Sequence, residues 1–293
     1  MTGRELGMVL VSALLHAAWN TAAKRNDRPT AFMGLLTGFT LVATLLALPW
    51  IPAAPFTGEL LPLVLASCAL HGLSFYVLSR AYEAGDLSLV YPISRSTPAV
   101  VPLFAVLLLG ERLSALGVAA ILLTVAGMWL VHTGGEIKRD ALREPAALWA
   151  YFMLLVTAAF SLVDKRAKAL LSTMPWESPL PRAIAFYLVQ TAGAALLFVP
   201  YCARKLGARN LFAFGREHSA LGALAALATL ASYALILEAL RTAQVSYVVA
   251  VRQCSVLFAV GFAVWALSER PTRARMTGTL GTLAGVVLIA LYA

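Results

Sequence analysis

The sequence predicts an all-α integral membrane protein with about ten transmembrane helices in two inverted five-helix repeats. Three observations lead to this prediction. Of the 293 residues, 60% are hydrophobic and only 13% are charged, whereas a soluble domain keeps roughly 25% of its residues charged. Apolar runs of about 20 residues, the length that crosses the hydrocarbon core, recur along the whole chain. Finally, the pattern of the first half returns in the second half.

The predicted spans follow one another with short connections. In chain order they cover residues 5–23, 30–50, 60–80, 87–110, 114–132, 146–163, 182–202, 219–240, 243–267 and 272–292. Arg4 followed by an apolar run resembles a signal peptide, but because many similar runs follow, we predict an uncleaved first span. The longest connections, 164–181 and 203–218, are too short to form a separate folded domain.

An internal repeat organises these spans. A shift of 158 positions aligns Ser74–Ser88 with Ser232–Ser246, and a shift of 141 aligns Ala17–Trp19 with Ala158–Phe160. Each half therefore holds five spans. Because five is odd, the second half enters the membrane from the opposite face. This inverted plan is typical of secondary transporters, which bind substrate near mid-membrane at the repeat interface.

The same repeat sets the predicted domains, which are residues 1–135 and 146–293. The net charge of +9 could suggest a nucleic-acid partner, but the basic residues lie between apolar runs, where membrane proteins meet lipid headgroups. We therefore predict the lipid bilayer as a partner, and no nucleic acid.

Several chemical functions are not predicted. Cys68, Cys202 and Cys254 are odd in number and lie in apolar runs, so they indicate neither a disulfide framework nor a metal site. The sequence contains no G-x-x-x-x-G-K-[ST], H-E-x-x-H or G-x-S-x-G motif. We therefore predict no enzyme activity and no cofactor.

Two arginines lie deep inside predicted spans. Arg95 is eight residues into the fourth span, roughly 12 Å deep at 1.5 Å per residue, and Arg252 is nine residues into the ninth. A charge at such depth costs at least about 2.5–3.5 kcal/mol, so we expect both to face a watery cavity or a partner. There, a guanidinium matches a carboxylate or phosphate. The alternative is a structural arginine that caps backbone carbonyls or snorkels.

The segment around Arg95 carries further indications of a cavity. Pro92, Pro98 and Pro102 remove backbone donors and predict a bent helix. Tyr91 and Ser88 share the face of Arg95 by i−4 and i−7 spacing.

Polar and aromatic side chains of other spans complete the predicted substrate pocket. They are His16, Trp19 and Asn20 in the first span, Ser74 with His71 in the third, and Gln253, which the repeat aligns with Arg95. His16 is either an interhelical hydrogen-bonding residue or a proton carrier. Trp19 either packs or contacts substrate.

Charged pairs stand at the ends of equivalent spans. Arg80 and Glu83 are three apart, and the repeat aligns them with Glu238 and Arg241, whose signs are reversed. Ordinary i,i+3 ion pairs explain this spacing. The alternative is that these pairs act as gates, forming and breaking during transport. Similarly, we expect the residues at positions 164 and 168 to form an i,i+4 pair at a helix end.

Small-residue motifs occur at Gly34/Gly38 and Gly281/Gly285. They predict either close helix packing within the chain or dimerisation. The sequence does not indicate an oligomeric state.

The layout resembles the drug/metabolite transporter superfamily, specifically its ten-span EamA-type members built from two five-span repeats. The likeness is carried by LLHAAWNTAAK (Leu14–Lys24), by the run from Ala81 through the G-E-R turn (Gly110–Arg112), and by the matching S-E-R turn (Ser268–Arg270), in which serine replaces glycine. It covers essentially the whole chain. The resemblance implies a multi-pass carrier of a bacterial inner membrane that moves amino acids, related metabolites or drugs by alternating access, driven by a gradient or by exchange. The glutamate of each turn would tether a tight connection between spans.

The orientation of the chain stays open. Such carriers usually keep both termini in the cytoplasm. However, most lysines and arginines follow odd-numbered spans, which by the positive-inside rule places both termini outside.

We therefore predict a secondary active transporter for a small anionic or zwitterionic metabolite, with Arg95 and Arg252 binding its charge. Protons or a counter-substrate are possible coupling partners. The alternative is an exporter of cationic or aromatic drugs, in which the arginines are structural and Trp19 and Glu238 contact the substrate.

Overall fold

The structure, a computed structural model, describes residues 1–23, 28–84, 87–136, 140–267 and 272–292. Throughout these ranges the chain forms α-helices and short 3-10 turns, and no strand. The α-helices are α1 (Gly3–Ala23), α2 (Pro29–Ala47), α3 (Leu61–Ala84), α4 (Leu87–Arg95), α5 (Thr97–Leu109), α6 (Ala115–Thr133), α7 (Pro145–Thr173), α8 (Arg182–Leu206), α9 (Ala208–Glu217), α10 (Ser219–Ala239), α11 (Val245–Val251), α12 (Ser255–Leu267) and α13 (Arg273–Tyr292).

The helices have the length and apolar surface of membrane spans. Eight spans of 18 residues or more among the described residues are apolar enough to cross a bilayer. Large apolar side chains such as Leu107, 78% exposed, and Leu46, 71% exposed, point outward, as lipid contact requires. The chain is a multi-pass integral membrane protein. The count of ten spans stays a prediction.

Two spans are broken at corresponding places in the two halves. The bend predicted by the prolines is a break at Ser96, between α4 and α5, with Pro98 at the second position of α5. In the second half, the 3-10 turn Arg252–Cys254 separates α11 from α12. Proline favours the first turn of a helix, where its missing N–H is not needed.

Both long connections contain more helix than predicted. The sixth span was expected to end at residue 163, but α7 continues to Thr173. The prediction was wrong because Asp164 and Lys165 end the apolar run, whereas both side chains are bonded inside the protein and let the helix continue. The predicted loop 203–218 contains helix α9.

The main helix contacts join the first half to the second. Helix α6 packs on α13, and α2 packs on α8. The contact of α3 with α7 corresponds, under the repeat, to that of α10 with α1. The centre of the molecule is therefore an interface between equivalent helices of the two halves.

Glycines allow the closest of these contacts. A Cβ on Gly127 of α6 would lie 2.4 Å from the backbone nitrogen of Thr282, and one on Gly285 of α13 would lie 2.7 Å from the carbonyl oxygen of Ala120. Real side chains do not reach such distances, so α6 and α13 touch through their backbones. Gly285 of the Gly281/Gly285 motif thus serves packing within the chain.

The other motif is less tightly packed. A Cβ on Gly34 would lie 3.0 Å from Cys202 Sγ, whereas one on Gly38 meets nothing within 4 Å.

The turn at Gly110 brings a first-half side chain into contact with the second half. Gly110 has a φ of +68° and ends α5, and the N–H of Glu111 donates to Ala105 at 3.2 Å. The Glu111 carboxylate then accepts the N–H of Val245 at 2.5 Å and the hydroxyl of Ser246 at 2.6 Å, which caps the start of α11. The glutamate was expected to tether a tight connection between spans, and the span that its carboxylate binds belongs to the other half. The matching turn, residues 268–270, lies outside the described residues.

We predict that Gly127→Ala destabilises the protein while Gly38→Ala does not. Overpacking at the α6–α13 contact should lower the free energy of unfolding by about 1–3 kcal/mol. At Gly38 the same methyl group has space, and alanine favours the helix by about 0.5–1 kcal/mol. Denaturant unfolding in micelles, followed by circular dichroism, measures both. Equal unfolding midpoints for the two variants would show that the glycine contact is not essential.

Candidate functional site

Two half-buried arginines, Arg95 and Arg252, converge on a histidine of the first helix. Arg95 is the last residue of α4, and its guanidinium hydrogen-bonds Nε2 of His16 on α1. Arg252, at the break between α11 and α12, also interacts electrostatically with His16. Because arginine can only donate, Nε2 of His16 is the acceptor in this contact. Cations from both halves therefore converge on one buried imidazole.

The helix breaks position these arginines. A helix that ends in mid-membrane leaves carbonyl groups without partners, and this negative end favours a cation such as Arg95. Discontinuous helices at equivalent positions of inverted repeats mark the substrate sites of many transporters. The breaks at Ser96 and at Arg252–Cys254 show this arrangement.

A buried carboxylate lies on the other side of the centre. Asp164 of α7 has no exposed surface. It accepts hydrogen bonds from Ser67 Oγ at 2.5 Å, from Gln190 Nε2 at 2.9 and 3.0 Å and from Tyr233 Oη at 2.6 Å. Nε2 of His71 lies 3.2 Å away. Donors from α3, α8 and α10 thus surround the carboxylate.

This environment corrects one prediction. Asp164 was expected to pair with Lys168 at a helix end, but it lies inside α7, and no ion pair joins these two described residues. The pairing failed because Ser67, Gln190 and Tyr233 already fill the acceptor positions of the carboxylate.

Tyr233 links the carboxylate to the arginines. Its hydroxyl donates to Asp164, and the guanidinium carbon of Arg252 lies 5.3 Å from the centroid of its ring. Opposite charges therefore sit against one aromatic side chain. Cation–π contacts of this kind are strongest where water is excluded.

The remaining predicted pocket residues have different positions. Ser74 donates to the backbone carbonyl of His71 at 2.7 Å and so supports the helix that carries His71. The Nε2 of Gln253 donates to the carbonyl of Val249, within its own span. The side chains of Trp19, Asn20, Ser88 and Tyr91 lie outside the described residues.

Ion pairs form at both ends of the helix bundle. Arg80 and Glu83 lie 3.4 Å apart, and Glu83 also binds Lys205 of α8 and Thr30 of α2. Partial burial acts to raise the pKa of the Glu83 carboxyl, but the hydrogen bonds from Lys205 and Thr30 outweigh it and lower the pKa. Glu83 is therefore ionised at neutral pH.

The second pair, Glu238 and Arg241 at 3.3 Å, lines a cavity of about 180 Å³ that we name the vestibule. Its lining also includes Arg182, the first residue of α8. Since Lys205 near the other end of α8 binds Glu83, the two ion pairs are separated by almost the length of α8, roughly 35 Å at 1.5 Å per residue.

A larger cavity of about 620 Å³ lies between α2, α8 and α9. Its lining is apolar except for Arg216 and Ser219, and Val42 and Phe212 in it are strongly exposed. This groove faces outward and contains none of the buried polar groups, so we do not regard it as the substrate site.

A sequence profile describing the EamA-like transporter family matches residues 4–133 and 146–291. The chain belongs to the EamA-like transporter family. As an EamA-like protein, it is a membrane transporter of small molecules, and the two matched segments contain both broken spans. No curated protein matches the sequence.

Twenty-eight chains of solved structures match this EamA-like protein. One of them, described only as the crystal structure of a protein, has a TM-score of 0.71 and 14% sequence identity, with 99% of this chain and 97% of that chain covered. At this identity the likeness shows the fold alone.

Sequence reasoning missed the residues around Asp164. The repeat aligns Asp164 with Ala23 and Tyr233 with Phe75, so neither has a polar equivalent in the other half. The sequence did offer one indication. Asp164 lies about two helical turns after Ala158, which the repeat aligns with Ala17, and it has no charged counterpart in the first half.

We predict that Tyr233→Phe destabilises this EamA-like protein by about 1–3 kcal/mol, because a buried acceptor on Asp164 loses its donor. Tyr187→Phe is the matched control: its ring lies 5.8 Å from that of Tyr233, and its hydroxyl makes no hydrogen bond with the described residues. Thermal unfolding in micelles measures both variants. Equal losses would mean that the Tyr233 hydroxyl contributes nothing specific.

Proposed function

We propose that this EamA-like protein is a secondary active transporter of a bacterial inner membrane, working by alternating access on a small anionic or zwitterionic metabolite such as an amino acid or organic acid. One observation carries the proposal. Arg95 and Arg252, contributed by different halves at the breaks of their spans, converge on His16 at the centre of the molecule.

The convergence of two like charges supports an anionic ligand. Arg95 and Arg252 both carry a guanidinium cation, and repulsion between half-buried charges is screened less than repulsion between exposed ones. A carboxylate or phosphate near them lowers this repulsion and matches the planar donors of guanidinium. Because the arginines belong to different halves, a rearrangement of one half against the other would change how the anion is held.

Asp164 extends the proposal to zwitterions. Its carboxylate and the Arg252 guanidinium contact the same tyrosine from different sides. An amino acid would place its carboxylate at the arginines and its ammonium toward Asp164. In the present arrangement, however, the acceptor positions of Asp164 are filled by protein donors, so an ammonium group would have to displace one of them.

We further propose that Asp164 and His71 carry a coupling proton. The 3.2 Å contact between them places an acid and a base in one buried network. The other titratable or charged groups facing Asp164 are Cys68 of α3, Tyr233 of α10 and, beyond Tyr233, Arg252. An imidazole in contact with a carboxylate forms a pair between which a proton can pass.

The ion pairs at the two ends are proposed gates. Glu83, with Arg80 and Lys205, joins α2, α3 and α8 at one end. Glu238 and Arg241 stand at the vestibule on the other end. Alternating access requires that one end opens while the other is closed, and a pair between helices of different halves is suited to this purpose. Glu83 makes such a contact through Lys205.

We predict that Arg95→Ala abolishes transport while the protein still folds and inserts. Thermal stabilisation of the purified protein by amino acids, organic acids, phosphorylated metabolites and cationic dyes identifies ligands, since a ligand at 100 times its Kd adds about 2.7 kcal/mol. Anions should stabilise the wild type and Arg209→Ala, which loses an exposed arginine of α9, but not Arg95→Ala. Uptake into proteoliposomes should follow the same order. If cationic or aromatic compounds stabilise all three proteins equally, the arginines are structural and the drug-exporter alternative replaces this proposal.

We predict that Asp164→Asn uncouples substrate transport from the pH gradient. A pH gradient across proteoliposomes should change the extent of wild-type substrate accumulation, and this response should disappear in Asp164→Asn, because an amide cannot release a proton. Exchange of labelled for unlabelled substrate should continue. Asp140→Asn, which removes an exposed carboxylate, should behave like the wild type. A variant Asp164→Asn that still responds to the pH gradient would exclude this residue as the coupling site.

A further inference from the structure

A buried lysine of α7 makes no hydrogen bond or ion pair within the described part of the chain. Lys168 is 1% exposed, yet its ammonium forms neither a hydrogen bond nor an ion pair with any residue that the structure describes. Removing a charge from water costs several kcal/mol unless it finds a counter-charge. Asp164, one turn earlier, does not provide one, because its acceptors are occupied by other side chains.

The side chain of Lys168 lines the vestibule. Three cations, Lys168, Arg182 and Arg241, share this cavity with one carboxylate, Glu238. The hydroxyl-bearing residues Ser172 and Ser178 and the ring of Trp176 complete its polar lining. Electrostatic interactions of Lys168 with Glu238, Arg182 and Arg241 show that the four groups are close together.

The single carboxylate of the vestibule is already engaged. Glu238 lies 3.3 Å from Arg241. Arg182 donates from Nη2 to the carbonyl of Met174 at 2.9 Å, but its buried Nε has no partner among the described residues. Lys168 and Arg182 therefore both present donors that the residues in the described ranges leave unused.

We infer that the vestibule is an anion-binding site with Lys168 as its main ligand, and that it receives the carboxylate of the transported metabolite on its way between solvent and the central arginines. The site follows from the vestibule alone, whereas the identity of its ligand rests on the proposed function. A second carboxylate would bring two negative charges against the three cations. It would also give Lys168 a counter-charge of its own, because Glu238 is shared with Arg241.

The dimensions of the vestibule suit a small solute. A volume of about 180 Å³ equals that of roughly six water molecules at about 30 Å³ each, enough for a carboxylate with a few further atoms. Lys168 is four residues from Asp164, roughly 6 Å along the helix axis. A solute leaving the vestibule would thus reach the buried centre within about one helical turn.

Trp176 allows the site to be tested without knowledge of the substrate. Its ring lines the vestibule and lies 5.5 Å from the guanidinium carbon of Arg182. The full-length protein in nanodiscs would be titrated with iodide, an anionic quencher, and with acrylamide, a neutral one. The contribution of Trp176 is the difference between the wild type and Trp176→Phe. We expect saturable quenching of Trp176 by iodide, competed by acetate, and no saturation with acrylamide.

Variants of α7 test whether Lys168 is the side chain that binds the anion. Lys168→Gln should weaken iodide binding at least about tenfold, as expected for loss of a buried charge partner. Arg166→Gln removes the same charge from an exposed position of the same helix and should bind iodide like the wild type. Lys168→Arg keeps the charge and should retain binding, which separates loss of the ligand from misfolding. If Lys168→Gln and Arg166→Gln bind equally, or if iodide and acrylamide quench alike, the inference is overturned.

The outcome is separable from that of the proposed function. Arg95→Ala should lose transport but keep the saturable iodide site at Trp176. If the site is present but the protein transports no anion, the proposed function fails, and with it the assignment of the ligand as transported metabolite. If Arg95-dependent anion transport occurs without an iodide site, only the vestibule inference fails.

Discussion

The central constraint on this protein is the need to stabilise charged side chains inside a bilayer. Asp164 is fully buried and Arg95 and Arg252 are half-buried, and each is held by groups of other helices. This requirement explains features that packing alone would not produce. The breaks in two spans supply free helix ends near the arginines, and three helices contribute donors to one carboxylate. Tyr233 is the side chain that joins the positive and negative parts of the network.

The rest of the fold keeps these groups in place with contacts of two kinds. Glycine contacts between α6 and α13 hold equivalent helices of the two halves at backbone distance. Glu111, in contrast, reaches from the end of α5 to the start of α11 and fixes the broken span that carries Arg252. The EamA-like architecture thus combines the close α6–α13 contact with a hydrogen-bonded contact beside the site. Neither contact involves the central charged side chains directly. The arrangement of those side chains can therefore change while the α6–α13 contact stays intact.

Much of the fold could be predicted because its causes are local in sequence. Apolar length predicts spans, and the repeat predicts the two-half plan of the EamA-like family. The prolines around Arg95 predict a bent helix, and the i,i+3 spacing of Arg80 with Glu83 predicts an ion pair that the structure contains. The environment of Asp164 could not be predicted in this way. Its partners Ser67, Gln190 and Tyr233 are far apart in sequence and meet only through helix packing, and local spacing suggested Lys168 instead.

The asymmetry of the charged centre limits how alike the two faces of the carrier can be. Under the proposed alternating access, equivalent halves would make the inward-facing and outward-facing states related by the pseudo-twofold rotation, with equal energies and equal affinities. Here the repeat aligns Asp164 with Ala23 and Tyr233 with Phe75, so the carboxylate network exists on one side of the pseudo-symmetry axis only. Exchanging the roles of the halves therefore gives a different arrangement of charges. If the protein works by the proposed alternating access, this difference between its halves gives the resting protein an intrinsic preference for one face, present before any gradient is applied.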